Sequence, residues 1–188
     1  MHPEKRARRR QLLAQRRSLP ASTWRDWSDR LCQNLRALPP FQQAETVLAY
    51  VSHRQEPDLS PLWQDLEKRW GLPRCVGREL YWHRWWRDRP LQPGAYGILE
   101  PEADAPLIDA NEVDLILVPA VAGDRQGYRL GYGGGFYDRM LQLPEWFAVP
   151  TIGILFHSAL QDSLPVEPWD RPLTGFCSEV GWHPRTTA

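Results

Sequence analysis

Residues 114–141 read DLILVPAVAGDRQGYRLGYGGGFYDRML, an apolar run, a glycine loop and the opening of a helix in immediate succession. Val113 to Val118 is apolar but for Asp114, the pattern of a strand covered on both faces in a parallel sheet. Glycines stand at 131, 133, 134 and 135, and Gly135 through Arg139 open a helix that Pro144 ends. Such a strand-loop-helix unit suits phosphate. Glycine reaches positive φ and brings backbone N–H groups close to a ligand, while the helix start offers unpaired amides. Arg129 and Arg139 flank the loop, and a guanidinium meets phosphate oxygens with a fixed fork of donors.

Working outward, Lys5 to Arg17 is rich in helix formers and predicts a basic first helix that ends before Ser18-Leu19-Pro20. A second helix, capped at Ser22 or Thr23, carries Trp24, Trp27, Leu31, Leu35 and Leu38 on one face and stops at Pro39-Pro40. Val47 to Val51 reads as a strand, residues 52–57 as a polar loop, and Asp58 to Trp70 as a helix closed by Gly71. Arg74 to Gly77 and Glu79 to Trp86 read as strands, Pro90 to Pro101 as a turn-rich connection, and Val149 to Phe156 and Thr174 to Val180 as two further strands. Strands alternating with helices predict an α/β fold, a single three-layer α/β/α domain over residues 1–188 with a mostly parallel sheet.

Composition narrows the function. Lys plus Arg and Asp plus Glu both number 23 in 188 residues, so no global charge draws the chain to nucleic acid or anionic lipid. The longest apolar runs are shorter than the roughly 20 residues of a membrane-spanning helix, and the arginine-rich start lacks a secretory signal's apolar segment, so a cytoplasmic protein is expected. Cys32, Cys75 and Cys177 are odd in number and widely spaced, which predicts buried, inert thiols. Ten tryptophans offer stacking surface for a flat heteroaromatic ligand.

Standard motifs are excluded one by one. A GxGxxG fingerprint from Gly131 would need glycine where Phe136 stands, and no lysine follows the loop as a P-loop requires. HExxH and GxSxG are absent. Asp138, in the first turn of the helix after the loop, reads either as a helix-start carboxylate or as a magnesium ligand beside phosphate. Asp170 is a second candidate carboxylate, and Glu56 lies in a loop where strand ends face ligand crevices. Lys5 and Arg9, four apart, share a helix face. The basic start reads as a solvated face, a nucleic-acid contact or a reach toward the glycine loop's phosphate; a sugar-phosphate isomerase on a similar sheet is the alternative enzyme.

Val118-Pro119, Gly127 and the run Arg129-Leu130-Gly131-Tyr132-Gly133-Gly134-Gly135-Phe136-Tyr137-Asp138-Arg139 resemble the RLGxGxGxYD signature of the 5-formyltetrahydrofolate cyclo-ligase family. Lys5, Arg9, Tyr50-Val51-Ser52 leading to Glu56, residues 97–101 and Leu164-Pro165 before Asp170 extend the resemblance along nearly the whole chain. The resemblance implies ATP-dependent conversion of 5-formyltetrahydrofolate to 5,10-methenyltetrahydrofolate by a monomer, with ATP as co-substrate, Mg2+ as cofactor, and neither nucleic acid nor membrane as partner. It implies ATP at Lys5, Arg6, Arg8, Arg9 and each residue from Arg129 to Tyr137, folate at Ser52, Glu56, Phe136 and Tyr137, and magnesium at Asp138 and Asp170. Four positions depart from common members: Gly134 for a lysine, Phe136 for a tyrosine, Gly123 for a phenylalanine and Trp169 for a histidine.

Overall fold

The computed structural model describes residues 3–65 and 67–186. Its first half runs α1 (Pro3–Arg17), α2 (Ala21–Arg36), α3 (Pro39–Gln43), β1 (Thr46–Leu48), β2 (Arg69–Val76), β3 (Glu79–Trp85), β4 (Gln92–Pro93) and β5 (Leu99–Glu100). The second half runs β6 (Leu115–Pro119), β7 (Ala122–Asp124), β8 (Arg129–Leu130), α4 (Phe136–Leu141), β9 (Thr151–Ile154), β10 (Leu160–Gln161), β11 (Gly175–Ser178) and β12 (Gly181–Pro184). The main sheet has the order β12-β11-β9-β6-β1-β2-β3. Neighbours from β11 to β2 are parallel, and β12 and β3 close the two edges antiparallel.

Alternation along the parallel strands sorts their side chains between two faces. Val47, Leu115, Leu117, Ile152, Ile154 and Cys177 pack with Leu31, Cys32 and Leu35 of α2 and Phe41 of α3. Leu48, Ile116, Val118 and Phe176 pack on the other side with Met140 and Leu141 of α4 and with Trp146. The expected helix, sheet and helix layers follow from this period of two. Each fully buried aliphatic or Phe side chain contributes about 1.5–3 kcal/mol. A smaller sheet, β10-β7-β8, sits beside the main one and receives α1, whose Leu12 packs with Val121, Ala122, Leu130 and Leu164.

Three local expectations are corrected. Residues 58–70 do not form a helix: a 3-10 turn spans Ser60–Gln64, and β2 is already running at Arg69. Trp70 pairs with Val47, and a Cβ on Gly71 would lie 2.3 Å from Leu48 Cδ2, so Gly71 lets strand and core approach instead of capping a helix. The second helix starts at Ala21 with no side-chain cap, and Pro39-Pro40 begin α3 rather than merely ending α2. Thirdly, the thiols are not uniformly buried. Burial pushes Cys32 and Cys177 up to about 12, whereas Cys75 is only half-buried.

Gly123 has a steric explanation. A Cβ there would lie 2.4 Å from the Phe176 ring, and one at Gly153 2.3 Å from it. The ring from β11 fills the space that a larger residue at 123 would need.

Candidate functional site

The loops that follow β1, β6, β9 and β11 leave the same edge of the parallel sheet, the edge at which open α/β sheets bind ligands. The first holds Glu56. His53 to Glu56 form a turn closed by Glu56 N donating to His53 O at 3.1 Å, with Arg54 and Gln55 at φ 51° and 58°. Left-handed backbone costs about 1–2 kcal/mol at each non-glycine residue, and the surroundings hold it. His53 N donates to Glu56 Oε2 at 2.9 Å, while Ser52 Oγ and Trp24 Nε1 donate to Glu56 O at 2.7 and 2.9 Å.

Glu56 is 4 % exposed. Burial pushes its carboxyl up to about 7, against the pull of Arg16, the His53 amide and Arg54. Close by, the Tyr137 hydroxyl is enclosed with no hydrogen-bond partner among the described residues, and burial followed by the Glu56 charge pushes it well above the usual phenol range. A carboxyl poised near neutrality beside an unsatisfied phenol suits a polar ligand.

The glycine loop is braced on both sides. Gly133 and Gly135 adopt φ 100° and 70°, as the expected turn demands, and α4 begins directly after Gly135. Gly134 is not in the left-handed region, but a Cβ there would sit 3.0 Å from the Phe136 ring. Arg129, with 4 % of its side chain exposed, donates from Nη2 to Asp138 Oδ1 at 2.5 Å. Arg139 donates to Gly134 O at 3.0 Å and to Arg78 O, and lies over the Phe136 ring. Both flanking arginines thus shape the loop itself. Phe136 also meets Tyr96 edge-on at 5.7 Å.

Helix α1 lies across this edge. Lys5 Nζ donates to Asp170 Oδ2 at 2.7 Å, Arg9 Nε to Gly131 O at 2.7 Å, and Arg8 to Ser163 O at 2.7 Å and Glu4 Oε1 at 3.0 Å. Arg6 is exposed. Burial lowers the Arg9 guanidinium, and Asp138 acts in the opposite sense. Through Lys5 and Arg9, one turn apart, α1 thereby meets both Asp170 and the glycine loop that leads to Asp138, while Ser52 and Glu56 come from the first strand's loop.

The residues present fit magnesium in kind and number. Asp138 Oδ2 and Asp170 Oδ1 take no protein hydrogen bond among the described residues, and Mg2+ usually takes one or two carboxylates, with phosphate and water completing its shell. No group of three or more His, Cys, Asp or Glu side chains able to hold a metal occurs among the described residues. Nor is any helix among them long and apolar enough to cross a membrane.

Sequence reasoning missed three parts of the site. Arg16 donates from Nε to Arg54 O at 3.2 Å and from Nη2 to the Tyr132 hydroxyl. Its signal was present, since residues 5, 9, 12 and 16 repeat at helical spacing. Tyr96 projects from the Pro90–Pro101 connection at φ 61°, 67 % exposed, between β4 and β5. A cleft of about 330 Å³ lies beside α1, lined by Leu12, Arg16, Trp27, Pro57, Val121 and Phe156 among others. Only packing reveals the last two.

Comparison with known proteins identifies the family. The model of the 5-formyltetrahydrofolate cyclo-ligase family matches residues 1–179. The 5-formyltetrahydrofolate cyclo-ligase of Escherichia coli is 32 % identical over 165 residues, 84 % of this chain and 91 % of that protein. That of Mycolicibacterium smegmatis is 34 % identical over 173 residues, 87 % of each chain. The solved structure of Aquifex aeolicus 5,10-methenyltetrahydrofolate synthetase superposes with a TM-score of 0.86 at 32 % identity, covering 98 % of this chain and 94 % of that one. The chain belongs to the 5-formyltetrahydrofolate cyclo-ligase family.

Proposed function

From that membership, we propose that the chain converts 5-formyltetrahydrofolate to 5,10-methenyltetrahydrofolate at the expense of ATP, releasing ADP and phosphate. The observation that carries the site assignment is that α1 joins distant parts of the chain, holding Asp170 through Lys5 and the glycine loop, with Asp138 following it, through Arg9. ATP lies along Lys5, Arg6, Arg8, Arg9 and residues 129–137. Folate meets Ser52, Glu56, Phe136 and Tyr137, with Tyr96 as a further ring. The protein acts as a single-domain monomer in the cytoplasm.

The chemistry follows from the substrate. An N-formyl group is an amide whose oxygen leaves poorly. Transfer of the γ-phosphoryl of ATP to that oxygen breaks the terminal P–O bond to ADP and uses the N5 lone pair to form an iminium phosphate. N10 then bonds to the formyl carbon, loses its proton, and the C–O bond breaks to release phosphate. Such a reaction needs positioning and charge neutralisation rather than a protein nucleophile. Lys5 and Arg9 supply positive charge, and the glycine loop's amides hold phosphate oxygens. Magnesium, held by Asp138 and Asp170, would neutralise further phosphate charge when bound. Glu56 accepts an N–H of the folate through Oε1, its Oε2 being held by His53 N.

The nucleic-acid reading is weakened because Lys5, Arg8, Arg9 and Arg16 are engaged by groups of this chain. Incubation with 5-formyltetrahydrofolate and Mg-ATP should produce the methenyl chromophore. Absence of an ATP-dependent product would refute the proposal.

A further inference from the structure

Glu56 sits on a strained turn and needs something to hold it. Three segments meet there. Arg16, near the end of α1, donates to Arg54 O within the turn and to the Tyr132 hydroxyl in the glycine loop, and its guanidinium lies 5.4 Å from the Tyr132 ring centre. Tyr132 in turn donates to His53 O at 3.4 Å. With its amide oriented to satisfy both atoms, Gln55 Nε2 donates to Arg16 O at 2.8 Å and Arg17 O at 3.0 Å, and Trp24 of α2 holds Glu56 O.

We propose that Arg16 is a positioning residue for Glu56: it ties the turn carrying that carboxyl to the glycine loop, and brings its own positive charge to bear on it. This rests on the proposed cyclo-ligase reading, which makes Glu56 a folate contact. The groups acting on Glu56 are Arg16 from α1 and Arg54 and the His53 amide from the turn, and the Glu56 charge in turn raises Tyr50 at the start of the loop and Tyr137 of α4. Arg16 is the largest of the influences that favour the ionised form, opposing burial. Its own affinity for a proton is lowered chiefly by burial and raised chiefly by Glu56. The electrostatic link is therefore mutual.

A lysine at 16 would keep the charge yet lose the planar fork that reaches two segments at once. Removing the charge has a different consequence. An opposite charge close to a carboxyl depresses its pKa by about 1–3 units, so its loss moves titration upward.

The test is direct titration of Glu56 by carboxyl 13C NMR, assigned by difference from Glu56→Gln, with neither folate nor ATP present. Arg16→Gln should raise the midpoint by about one pH unit or more, and Arg16→Lys should leave it near the wild-type value. Arg16→Lys and Tyr132→Phe should each raise KM for 5-formyltetrahydrofolate several-fold. An unmoved midpoint in folded Arg16→Gln, or unchanged KM in both conservative variants, overturns the proposal. Should Arg16→Gln not fold, the two KM measurements decide. A wild-type protein that makes no methenyl product refutes the functional reading instead, and the titration still tests the link between Arg16 and Glu56.

Discussion

Lys5 Nζ lies 2.7 Å from Asp170 Oδ2, joining the first helix to a loop 165 residues later. Both side chains are 12 % exposed, so this pair is better shielded than an ordinary surface bridge. Asp170 Oδ2 also accepts from Glu167 N at 2.9 Å, which shapes the loop around the carboxylate.

The carboxylates carry the first prediction. Asp138→Asn and Asp170→Asn should each lower turnover and raise the Mg2+ concentration for half-maximal rate. Asp138→Asn should also lose about 1–3 kcal/mol in urea unfolding, because it leaves the buried Arg129 guanidinium without its charged partner. Unchanged magnesium dependence in both variants would remove the metal assignment.

Arg9→Ala should weaken ATP use more than folate use. Its Nε holds Gly131 O, so its loss loosens the glycine loop as well as removing a cation. Steady-state kinetics should show KM for ATP up about tenfold, the cost of one charge-assisted hydrogen bond. Unaltered ATP kinetics would return α1 to a merely structural role.

Glu56 predicts a pH dependence of stability. Its carboxyl titrates at about 7 in the folded chain against an ordinary 4.5, so the folded state binds more protons between those values. Stability contributed by the protonated form is therefore present below about pH 4.5 and is lost as pH rises through about 7. Glu56→Gln should escape that loss. Relative to wild type it should gain up to about 3 kcal/mol between pH 4 and pH 8, read by denaturant unfolding at the two pH values, while KM for folate rises. A difference that does not vary with pH would contradict the burial argument.

The loop glycines should differ in their tolerance. Gly135→Ala should cost about 1–2 kcal/mol, since φ there is 70°. Gly131→Ala should fold nearly as well as wild type, because none of the described residues comes within 4 Å of its added Cβ and its φ is not left-handed. Thermal unfolding of the two variants checks the contrast.

Gly123→Ala should destabilise by about 1–3 kcal/mol through overpacking against Phe176. The Phe176→Leu change should relieve part of that penalty in the double variant. Additive losses in a double-mutant cycle would show that the ring is not what excludes a side chain at 123.

Much of this arrangement was legible beforehand. The apolar run at 115–118, the glycines and the basic repeat at 5 and 9 carry local signals, because periodicity and backbone freedom are properties of neighbouring residues. The segment 58–70 misled for the same reason. Its leucines and tryptophans fall at helical spacing, yet sheet pairing of Trp70 with Val47 outweighs local preference. Tyr96 became visible only as a neighbour of Phe136, whereas Arg16 lies on the helical repeat of residues 5, 9 and 12 and gained its meaning beside Glu56.

By itself, the sequence determined the α/β class, the glycine loop and the residue types that could meet phosphate, magnesium and folate, since each rests on local pattern or a dense motif. Tertiary structure decided how these residues are used. It pairs Arg129 with Asp138 and Lys5 with Asp170, fills the space beside Gly123 with Phe176, and buries Glu56 within reach of the Arg16 charge. Desolvation and long-range charge pairing depend on which distant segments meet, and only the folded chain brings them together.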